Sequence, residues 1–449
     1  MKRTNFFFVL LFIFASNYSV GCDYMPIAPG RGGTKNGLPA KDIPLGLGFN
    51  IHIKGPEEEW NIMRSTGARF IRADFTWSGI ERERGKYNFE AFDKLYDALT
   101  KNGIRPIFIL DYSNRLYPAP ETTEEGRAAF AKWAAVSAEH FKGKNVIWEI
   151  WNEPNVGFWK GEGELNSIEF ANQYVQLVKK TVPAMRAVDP DCYILGGSVS
   201  CLWRNSFRWI DEAFKQGLLQ TGINALSVHP YGYPHPELCM EGGIPGEEGY
   251  ALLREKMLKS GAPQDFPVVN TEVGYSTRDN GVLRGDTAEL HRAMLFVRTY
   301  LVDQMCDIKI SIWYNWDAND AQFHKVRSSG PEPLPIFNAC KNMNTELTGF
   351  HFVDRINTGN PLDYVAIFMD KRKRTKIVAW TTPKRGDTQD KAIAHEVTIP
   401  FKKAKNPEVR DLFGKPAQAE TTPVSVKITL TASPVYIDLN GKHIVDPGI

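Results

Sequence analysis

The sequence predicts an α/β protein in which a (β/α)8 TIM barrel is followed by a C-terminal antiparallel β-sandwich. Eight short β-rich runs alternate with amphipathic helical stretches between residues 45 and 314, and eight parallel strands close such a barrel. No Gly-x-Gly-x-x-Gly opens a helix after the first run, which argues against a doubly wound open sheet. From about Phe350, short alternating runs follow one another without helical periodicity, as in a β-sandwich.

The individual elements can be placed along the chain from periodicity and from residues that end helices. The β-rich runs are residues 45–53, 68–74, 105–112, 146–151, 193–197, 225–229, 267–271 and 308–314. Helical periodicity is clearest over residues 89–102, 124–141, 168–188 and 287–304. Asp189-Pro190 ends the third helix, because proline stops helices. The predicted sandwich strands are residues 365–369, 376–380, 395–400, 424–430 and 435–439.

The N-terminal segment is predicted to be a leader that is removed from the mature protein. Lys2 and Arg3 supply the positive charge, residues 6–15 form an apolar core, and small residues lead to Cys22. This apolar core is too short for a permanent membrane span. We therefore expect an exported protein that is periplasmic, bound to the cell surface or secreted. The predicted organisation is a leader (1–21), a linker (22–44), a barrel (45–345) and a sandwich (350–449).

Charge and cysteine content narrow the classes of partner. Without Lys2 and Arg3 the chain has 52 basic and 52 acidic residues, which gives no reason to expect nucleic acid or an anionic membrane as partner. The sequence leaves open whether Cys22 carries a lipid anchor. Small residues precede it, as in bacterial lipoprotein leaders, but Ser19 stands where leucine is usual. The other cysteines have no zinc-site spacing and are odd in number, so no disulfide pairing follows; they are Cys192, Cys201, Cys239, Cys306 and Cys340.

Two glutamates lie at the ends of predicted barrel strands. Glu153 follows the fourth run, where Pro154 prevents a regular continuation of the strand, and Glu272 follows the seventh. Catalytic groups of TIM barrels lie at the C-terminal ends of strands, so we expect these carboxyl groups to face each other across the mouth. Cleavage of a glycosidic bond needs such a pair. One carboxyl group protonates the leaving oxygen, and the other attacks or activates water on the opposite face.

The motif Asn152-Glu153-Pro154, taken together with Glu272, resembles clan A of the glycoside hydrolases. The resemblance extends from about residue 45 to residue 344. Within the clan, the sequence is most similar to glycoside hydrolase family 39 and its bacterial exopolysaccharide-cleaving relatives. Three segments carry this similarity, namely residues 77–81 (Trp-Ser-Gly-Ile-Glu), 85–89 (Gly-Lys-Tyr-Asn-Phe) and 110–114 (Leu-Asp-Tyr-Ser-Asn). The family 5 cellulases share the Asn-Glu-Pro motif and are the competing likeness.

The resemblance implies a retaining hydrolase of β-linked sugars, with Glu153 as acid/base and Glu272 as nucleophile. It also implies that Arg72 holds the nucleophile carboxylate ionised through its adjacent positive charge. Asn152 matches the residue that binds the sugar 2-hydroxyl. Glu149 also lies on the fourth strand and is predicted to be a structural ion-pair partner, since its side chain alternates with those of its neighbours.

Further site residues follow from the same resemblance. His229 and Tyr231 match a His-x-Tyr pattern in which the phenol hydrogen-bonds the nucleophile and the imidazole binds a sugar hydroxyl. The clan places a stacking tryptophan at the end of strand eight, where this sequence offers two candidates. The aromatic residues predicted to contact sugar are Trp313 or Trp316 on strand eight, with Tyr112 and Trp159 as cleft walls.

Three functions are consistent with these residues. The first is an endo-acting hydrolase of a β-linked polysaccharide or oligosaccharide. The second is an exo-acting β-xylosidase-like enzyme, as in other family 39 members. The third is a non-catalytic carbohydrate-binding barrel, which the presence of both glutamates argues against. No residue cluster has metal-ligand spacing and no phosphate-binding loop occurs, so we expect neither metal nor cofactor.

Overall fold

The computed structural model describes residues 37–52, 57–232, 235–237, 249–275, 287–317, 326–327, 332–385, 387–402 and 404–441. The predicted leader, Cys22 and Cys239 lie outside the described residues. Within them, no helix is both long and apolar enough to cross a membrane. Among the described residues, no disulfide joins Cys192, Cys201, Cys306 and Cys340 to one another.

Eight parallel strands form a closed barrel, in which neighbours in sequence are neighbours in the sheet and the first strand pairs with the last. The predicted fold class is therefore confirmed. The first to eighth barrel strands are Leu47–Asn50, Phe70–Thr76, Arg105–Asp111, Ile147–Ile150, Tyr193–Ser200, Ala225–His229, Val268–Val273 and Ser311–Trp313. Each of them overlaps a predicted β-rich run.

Helices surround the barrel, and their ends follow from capping residues. Ser167 accepts a hydrogen bond from the backbone N–H of Phe170, and Thr123 accepts one from Gly126, so both residues cap the helices that follow them. A short hairpin, Glu81–Glu83 with Lys86–Tyr87, follows the second strand. The helices are Glu57–Ser65, Trp77–Ile80, Glu90–Lys101, Glu124–His140, Ile168–Val188, Arg204–Lys215, Gly249–Lys259, Ala288–Met305 and Pro335–Leu347.

The barrel interior is apolar at one end and polar at the other. The apolar end is a cluster that includes Phe70, Ile107, Ile147, Tyr193, Leu195, Val269, Ile310 and Ile312. A Cβ at Gly48 would lie 2.5 Å from Cδ1 of Ile312, so this packing requires glycine in the first strand. Because side chains alternate along a strand, the next interior positions are Arg72 on the second strand and Glu149 on the fourth. The strands therefore carry their polar groups toward their C-terminal ends.

The C-terminal segment forms two antiparallel sheets. The smaller sheet contains His395–Pro400, Ser425–Leu430 and Glu420–Thr421, in that order. The larger sheet has the order Phe350–Arg355, Asp363–Asp370, Thr375–Thr381, Val435–Asp438 and Glu408–Arg410. The strands that the sequence analysis did not predict are Phe350–Arg355, Glu408–Arg410 and Glu420–Thr421. Each of these three lies at the edge of its sheet.

The larger sheet is covered on both faces. Residues such as Val365, Ile377 and Ile437 pack against the smaller sheet. Their alternating neighbours, which include Phe368 and Trp380, belong to the same apolar cluster as the barrel helices. The barrel and the sandwich thus share one core. The division of the chain between residues 345 and 350 stays a prediction.

A buried polar cluster fixes the loop after the sixth barrel strand to the sandwich. Glu237 accepts hydrogen bonds from Nε and Nη2 of Arg298 at 2.6 and 2.7 Å and from Nε1 of Trp380 at 2.8 Å. Arg298 also donates to Gln389 at 2.7 Å. Although burial opposes its ionisation, the charge of Arg298 holds the pKa of Glu237 below its usual value. Residues 235–237, which follow the sixth strand, are therefore anchored to the sandwich.

Replacing Arg298 by alanine should lower the free energy of unfolding by about 3–5 kcal/mol, because Glu237 would be left buried without its positive partner. Chemical denaturation monitored by tryptophan fluorescence measures this change. Lys94→Ala is the matched control, since Lys94 pairs with Glu90 on the exposed face of a helix and should leave the midpoint unchanged. Equal effects of the two substitutions would contradict this account of the anchor.

Candidate active site

The fourth barrel strand ends in a turn that brings Glu153 into the mouth. Trp151 and Glu153 have φ values of 66° and 45°, in the left-handed region that residues other than glycine rarely adopt. Pro154 lacks the N–H that a further ladder hydrogen bond would need. The ring of Trp159 packs 4.9 Å from that of Trp151, so the surrounding core stabilises this strained turn. Glu153 itself is 7% exposed.

Arg72 is the centre of the hydrogen-bond network at the mouth. Its guanidinium is buried, and all five of its N–H groups have an acceptor. The acceptors are Glu149 Oε2 at 2.6 Å from Nε, Glu272 Oε2 at 2.6 Å and Asn50 Oδ1 at 3.2 Å from Nη1, and Asn152 Oδ1 at 2.8 Å and Ser198 Oγ at 3.4 Å from Nη2. The first, second, fourth, fifth and seventh strands are thereby joined around one cation.

The charges in this network stabilise one another. Burial opposes the charge of Arg72, yet the carboxylates of Glu149 and Glu272 hold its pKa above its usual value. Burial likewise opposes ionisation of Glu149, but the adjacent Arg72 lowers its pKa. Thr271 donates to the second oxygen of Glu149 at 2.7 Å. The prediction that Glu149 is a structural ion-pair partner is confirmed.

Both oxygens of Glu272 accept a strong hydrogen bond. Arg72 donates to Oε2, and the hydroxyl of Tyr231 donates to Oε1 at 2.6 Å. Burial and the negative charges of Glu272 and Glu153 raise the pKa of Tyr231 well above its usual value, so the phenol stays a donor. The Glu272 side chain is 12% exposed, which leaves the carboxylate accessible from the cleft.

His229 lies behind Glu153 instead of lining the cleft. Its Nδ1 is 3.0 Å from Oε1 of Glu153, and its Nε2 is 3.1 Å from Oγ of Ser198. The ring has no exposed surface, so the prediction that it binds a sugar hydroxyl does not fit these contacts. It instead fixes the position of Glu153, and through Ser198 it connects that residue to Arg72.

The two predicted catalytic carboxyl groups lie close together. One ligand atom each of Glu153, Glu272 and His229 lies within 4.8 Å of the others. Among the described residues this is the group whose geometry could hold a metal ion. The carboxylate oxygens of Glu272 are, however, hydrogen-bonded to Arg72 and Tyr231, and the charge of Arg72 opposes a bound cation.

The two tryptophans predicted on strand eight both belong to the core. Ile312 faces the barrel interior, so Trp313 faces the helices, where its ring lies 5.2 Å from that of Phe296. Trp316 is fully buried, with its ring 5.0 Å from that of Phe49. Neither of them is available to stack on a sugar, so the prediction that one of the two does so is wrong. The sequence alone does not show which of the two tryptophans faces the barrel interior.

One predicted cleft wall is present, and the other is replaced by its neighbour. Tyr112 is half-buried, and its ring stacks on that of Phe158 at 6.1 Å and 10°. Trp159 is 2% exposed and packs inward, whereas Phe158 is 47% exposed. The amide of Asn152 hydrogen-bonds the hydroxyl of Tyr112. Phe158 was missed because the direction of a side chain within a turn cannot be read from sequence.

Tyr314 is a second aromatic residue of the mouth that sequence analysis missed. It is half-buried, its ring meets that of His52 edge-on at 5.4 Å, and it lies close enough to Tyr231 to affect that residue's pKa. Period-two alternation from Ile312 would have identified it. The structure thus brings Arg72, Asn152, Glu153, His229, Tyr231 and Glu272 together and leaves Trp159, Trp313 and Trp316 in the core.

Comparison with known proteins places this geometry in a family. Residues 55–322 match the family model of the cellulases, glycosyl hydrolase family 5. No curated protein matches the chain in sequence. A family 39 glycoside hydrolase from the gut symbiont Bacteroides cellulosilyticus WH2 has a TM-score of 0.71 at 22% identity, over 90% of this chain and 82% of that one.

Two further solved structures have the same fold. A monomeric β-xylosidase from Caulobacter crescentus CB15 has a TM-score of 0.63 at 16% identity, over 89% of this chain and 97% of its own. The family 39 enzyme from Xanthomonas axonopodis pv. citri has a TM-score of 0.61 at 15% identity, over 89% and 94%. The expected clan is therefore confirmed. The chain belongs to the cellulase family of the glycosyl hydrolases, family 5, and is a clan A O-glycoside hydrolase with a fold similar to that of family 39 enzymes.

Proposed function

We propose that this protein is a retaining glycoside hydrolase that cleaves β-linked sugars by double displacement, with Glu272 as nucleophile and Glu153 as acid/base. The observation that carries the proposal is the approach of these two side chains, which place one carboxyl oxygen each within 4.8 Å. Retaining enzymes have carboxyl groups about 5–5.5 Å apart, whereas inverting enzymes need about 6.5–9.5 Å to admit a water molecule.

The first step joins the sugar to the protein. A carboxylate oxygen of Glu272 attacks the anomeric carbon, while Glu153 protonates the departing glycosidic oxygen. The hydrogen bonds from Arg72 and Tyr231 hold the nucleophile in one orientation, so little reorganisation is needed for attack. Asn152 is oriented because its Oδ1 accepts from Arg72, which turns its amide N–H groups away from the guanidinium.

The second step releases the sugar with its original configuration. Once Glu272 is esterified its negative charge is gone, and Glu153 removes a proton from water, which attacks the same anomeric carbon. Arg72 keeps a counter-charge throughout, because Glu149 lies 2.6 Å from its Nε. His229 holds Glu153 in place for both proton transfers.

Substitution of the two glutamates should separate their roles. Glu272→Ala should lower turnover of every substrate by roughly 10⁴-fold or more, because both steps need its carboxylate. Glu153→Ala should still form the intermediate from a sugar with an activated leaving group, and azide should then restore turnover and give a β-glycosyl azide. Steady-state kinetics with product analysis by NMR measures both effects.

Glu164→Ala is the matched control, since this exposed glutamate lies in the loop that follows Glu153 and should change nothing. Rescue of Glu272→Ala by azide, without a β-azide from Glu153→Ala, would show that the roles are reversed. Products of inverted configuration from the wild-type protein would contradict the mechanism itself.

We further propose that the enzyme is endo-acting on a polysaccharide or oligosaccharide. Two exposed aromatic residues follow barrel strands at the end of the barrel that carries Glu153: Phe158 after the fourth strand, at 47% exposure, and Trp203 after the fifth, at 42%. Aromatic faces of this kind bind sugar rings of an extended leaving group. The alternative is exo action of the β-xylosidase type, which the fold shared with the Caulobacter crescentus β-xylosidase favours.

Phe158→Ala should lower kcat/KM about tenfold on long oligosaccharides, since a stacking contact contributes roughly 0.5–1.5 kcal/mol. It should leave hydrolysis of a glycosyl fluoride unchanged, because fluoride has no ring to stack. Ile393→Ala, at an exposed site on the sandwich, is the control. Product sizing completes the test. Oligosaccharide products support endo action, and a single monosaccharide released from the chain end would establish exo action instead.

Export is proposed on the leader segment alone. A chain that begins at Cys22 would lack Lys2, Arg3 and the apolar core, and it would meet polysaccharide outside the cytoplasm. Two forms remain as alternatives, a soluble protein and one anchored through a lipid on Cys22. The intact mass of the protein recovered from its host distinguishes an unmodified N-terminus from a lipidated one.

A further inference from the structure

Two aspartates face the mouth without a role in this mechanism. Asp74 lies two residues after Arg72 in the second barrel strand, so its side chain shares the interior face of that strand. Asp111 is the last residue of the third strand, where it lies opposite Thr76. The carboxyl groups are close enough to share a hydrogen bond when one of them carries a proton. They form an acidic pair beside Arg72.

Asp111 is buried without a protein donor. It has no exposed surface, and neither of its carboxyl oxygens accepts a hydrogen bond from the protein. Arg72 cannot supply one, because its five N–H groups are used by Glu149, Glu272, Asn50, Asn152 and Ser198. Neither aspartate forms an ion pair with a basic residue in the part of the chain that the structure describes. A buried carboxyl group without a donor is costly, so Asp111 needs an explanation.

A shared proton explains how the pair is tolerated. Burial, and then the negative charge of Asp74, raise the pKa of Asp111 well above its usual value. The protonated Asp111 can donate to Asp74 and thereby fix the orientation of its carboxylate. Asp74 is exposed, and on the interior face of a barrel strand this exposure is to the cleft. Its remaining lone pairs are therefore open to a ligand.

The missing donors have the chemistry of sugar hydroxyls. A carboxylate only accepts hydrogen bonds, and its two oxygens can receive two O–H groups from neighbouring carbons of one ring. The half-buried ring of Tyr112, which follows Asp111, offers an apolar face beside the pair. A sugar carboxylate in the same position would lie beside the carboxylate of Asp74, in a cleft that already contains Glu153 and Glu272. Its binding would be opposed because like charges repel one another at short distance.

We propose that Asp74, supported by Asp111, binds two adjacent hydroxyl groups of an uncharged sugar ring next to the reaction centre and excludes uronic acids from that position. The proposal rests on the proposed function, whose substrate class it narrows to neutral β-linked sugars. Two effects give selectivity for neutral sugars: the aspartate pair attracts hydroxyl groups, and it repels the carboxylate of a competing uronic acid.

Binding without hydrolysis tests this directly. In the full chain carrying Glu272→Gln, calorimetry should measure the affinity for xylotetraose, cellotetraose, mannotetraose and a tetramer of β-1,4-linked glucuronic acid. The neutral tetrasaccharide that binds best should lose about tenfold or more in affinity with Asp74→Asn, because hydrogen bonds to a charged group are lost. The same substitution should reduce the discrimination against the glucuronic acid tetramer.

Two further variants separate recognition from a structural effect. Asp111→Asn keeps a donor toward Asp74, so it should leave the affinity for the neutral tetrasaccharide nearly unchanged. Asp97→Asn, on the exposed face of an outer helix, is the matched control. Unchanged affinity and selectivity in Asp74→Asn would overturn the proposal. It would also be overturned if the glucuronic acid tetramer bound as tightly as the best neutral tetrasaccharide, or if no neutral tetrasaccharide bound. Hydrolysis with retention by the wild-type protein would, in those cases, leave the proposed function standing.

Discussion

The rest of the site depends on the contact of the buried Arg72 guanidinium with the carboxylates of Glu149 and Glu272, each 2.6 Å away. A buried charge costs several kcal/mol in solvation, so it persists only with close partners and satisfied hydrogen bonds. Glu149 is therefore needed to stabilise the buried charge of Arg72, as Glu272 is. When Glu272 becomes esterified, Glu149 still balances the arginine, and the network keeps its geometry through both chemical steps.

The fold supplies the conditions for this network. Apolar residues such as Phe70 and Ile107 fill the far end of the barrel, so the polar groups are confined to the strand ends that face the cleft. Left-handed backbone at Trp151, Glu153 and Ser198 re-aims side chains at the ends of the fourth and fifth strands. The loop after the sixth strand also contributes to the network. Tyr231 lies at its start, and residues 235–237 of the same loop are anchored to the sandwich.

The sequence was sufficient for the residues whose position follows from strand ends. Glu153, Glu272, Arg72 and Tyr231 lie on or just after barrel strands, and closure of the barrel brings such positions together whatever the loops do. The inward direction of Trp159 depends on the conformation of a turn, which no periodicity encodes. The unpredicted sandwich strands are edge strands in which only Phe350 and Val409 are buried, so they lack the alternating apolar pattern on which strand prediction relies.

The central claim is that Glu272 forms a covalent bond with the sugar, and trapping that bond tests it most directly. A 2-deoxy-2-fluoro glycoside with an activated leaving group, made from the sugar that the enzyme hydrolyses, slows release more than attack. Peptide mapping by mass spectrometry after inactivation should find one sugar per chain, attached to the peptide that contains Glu272. Rapid turnover without an adduct, or an adduct on another residue, would contradict the account.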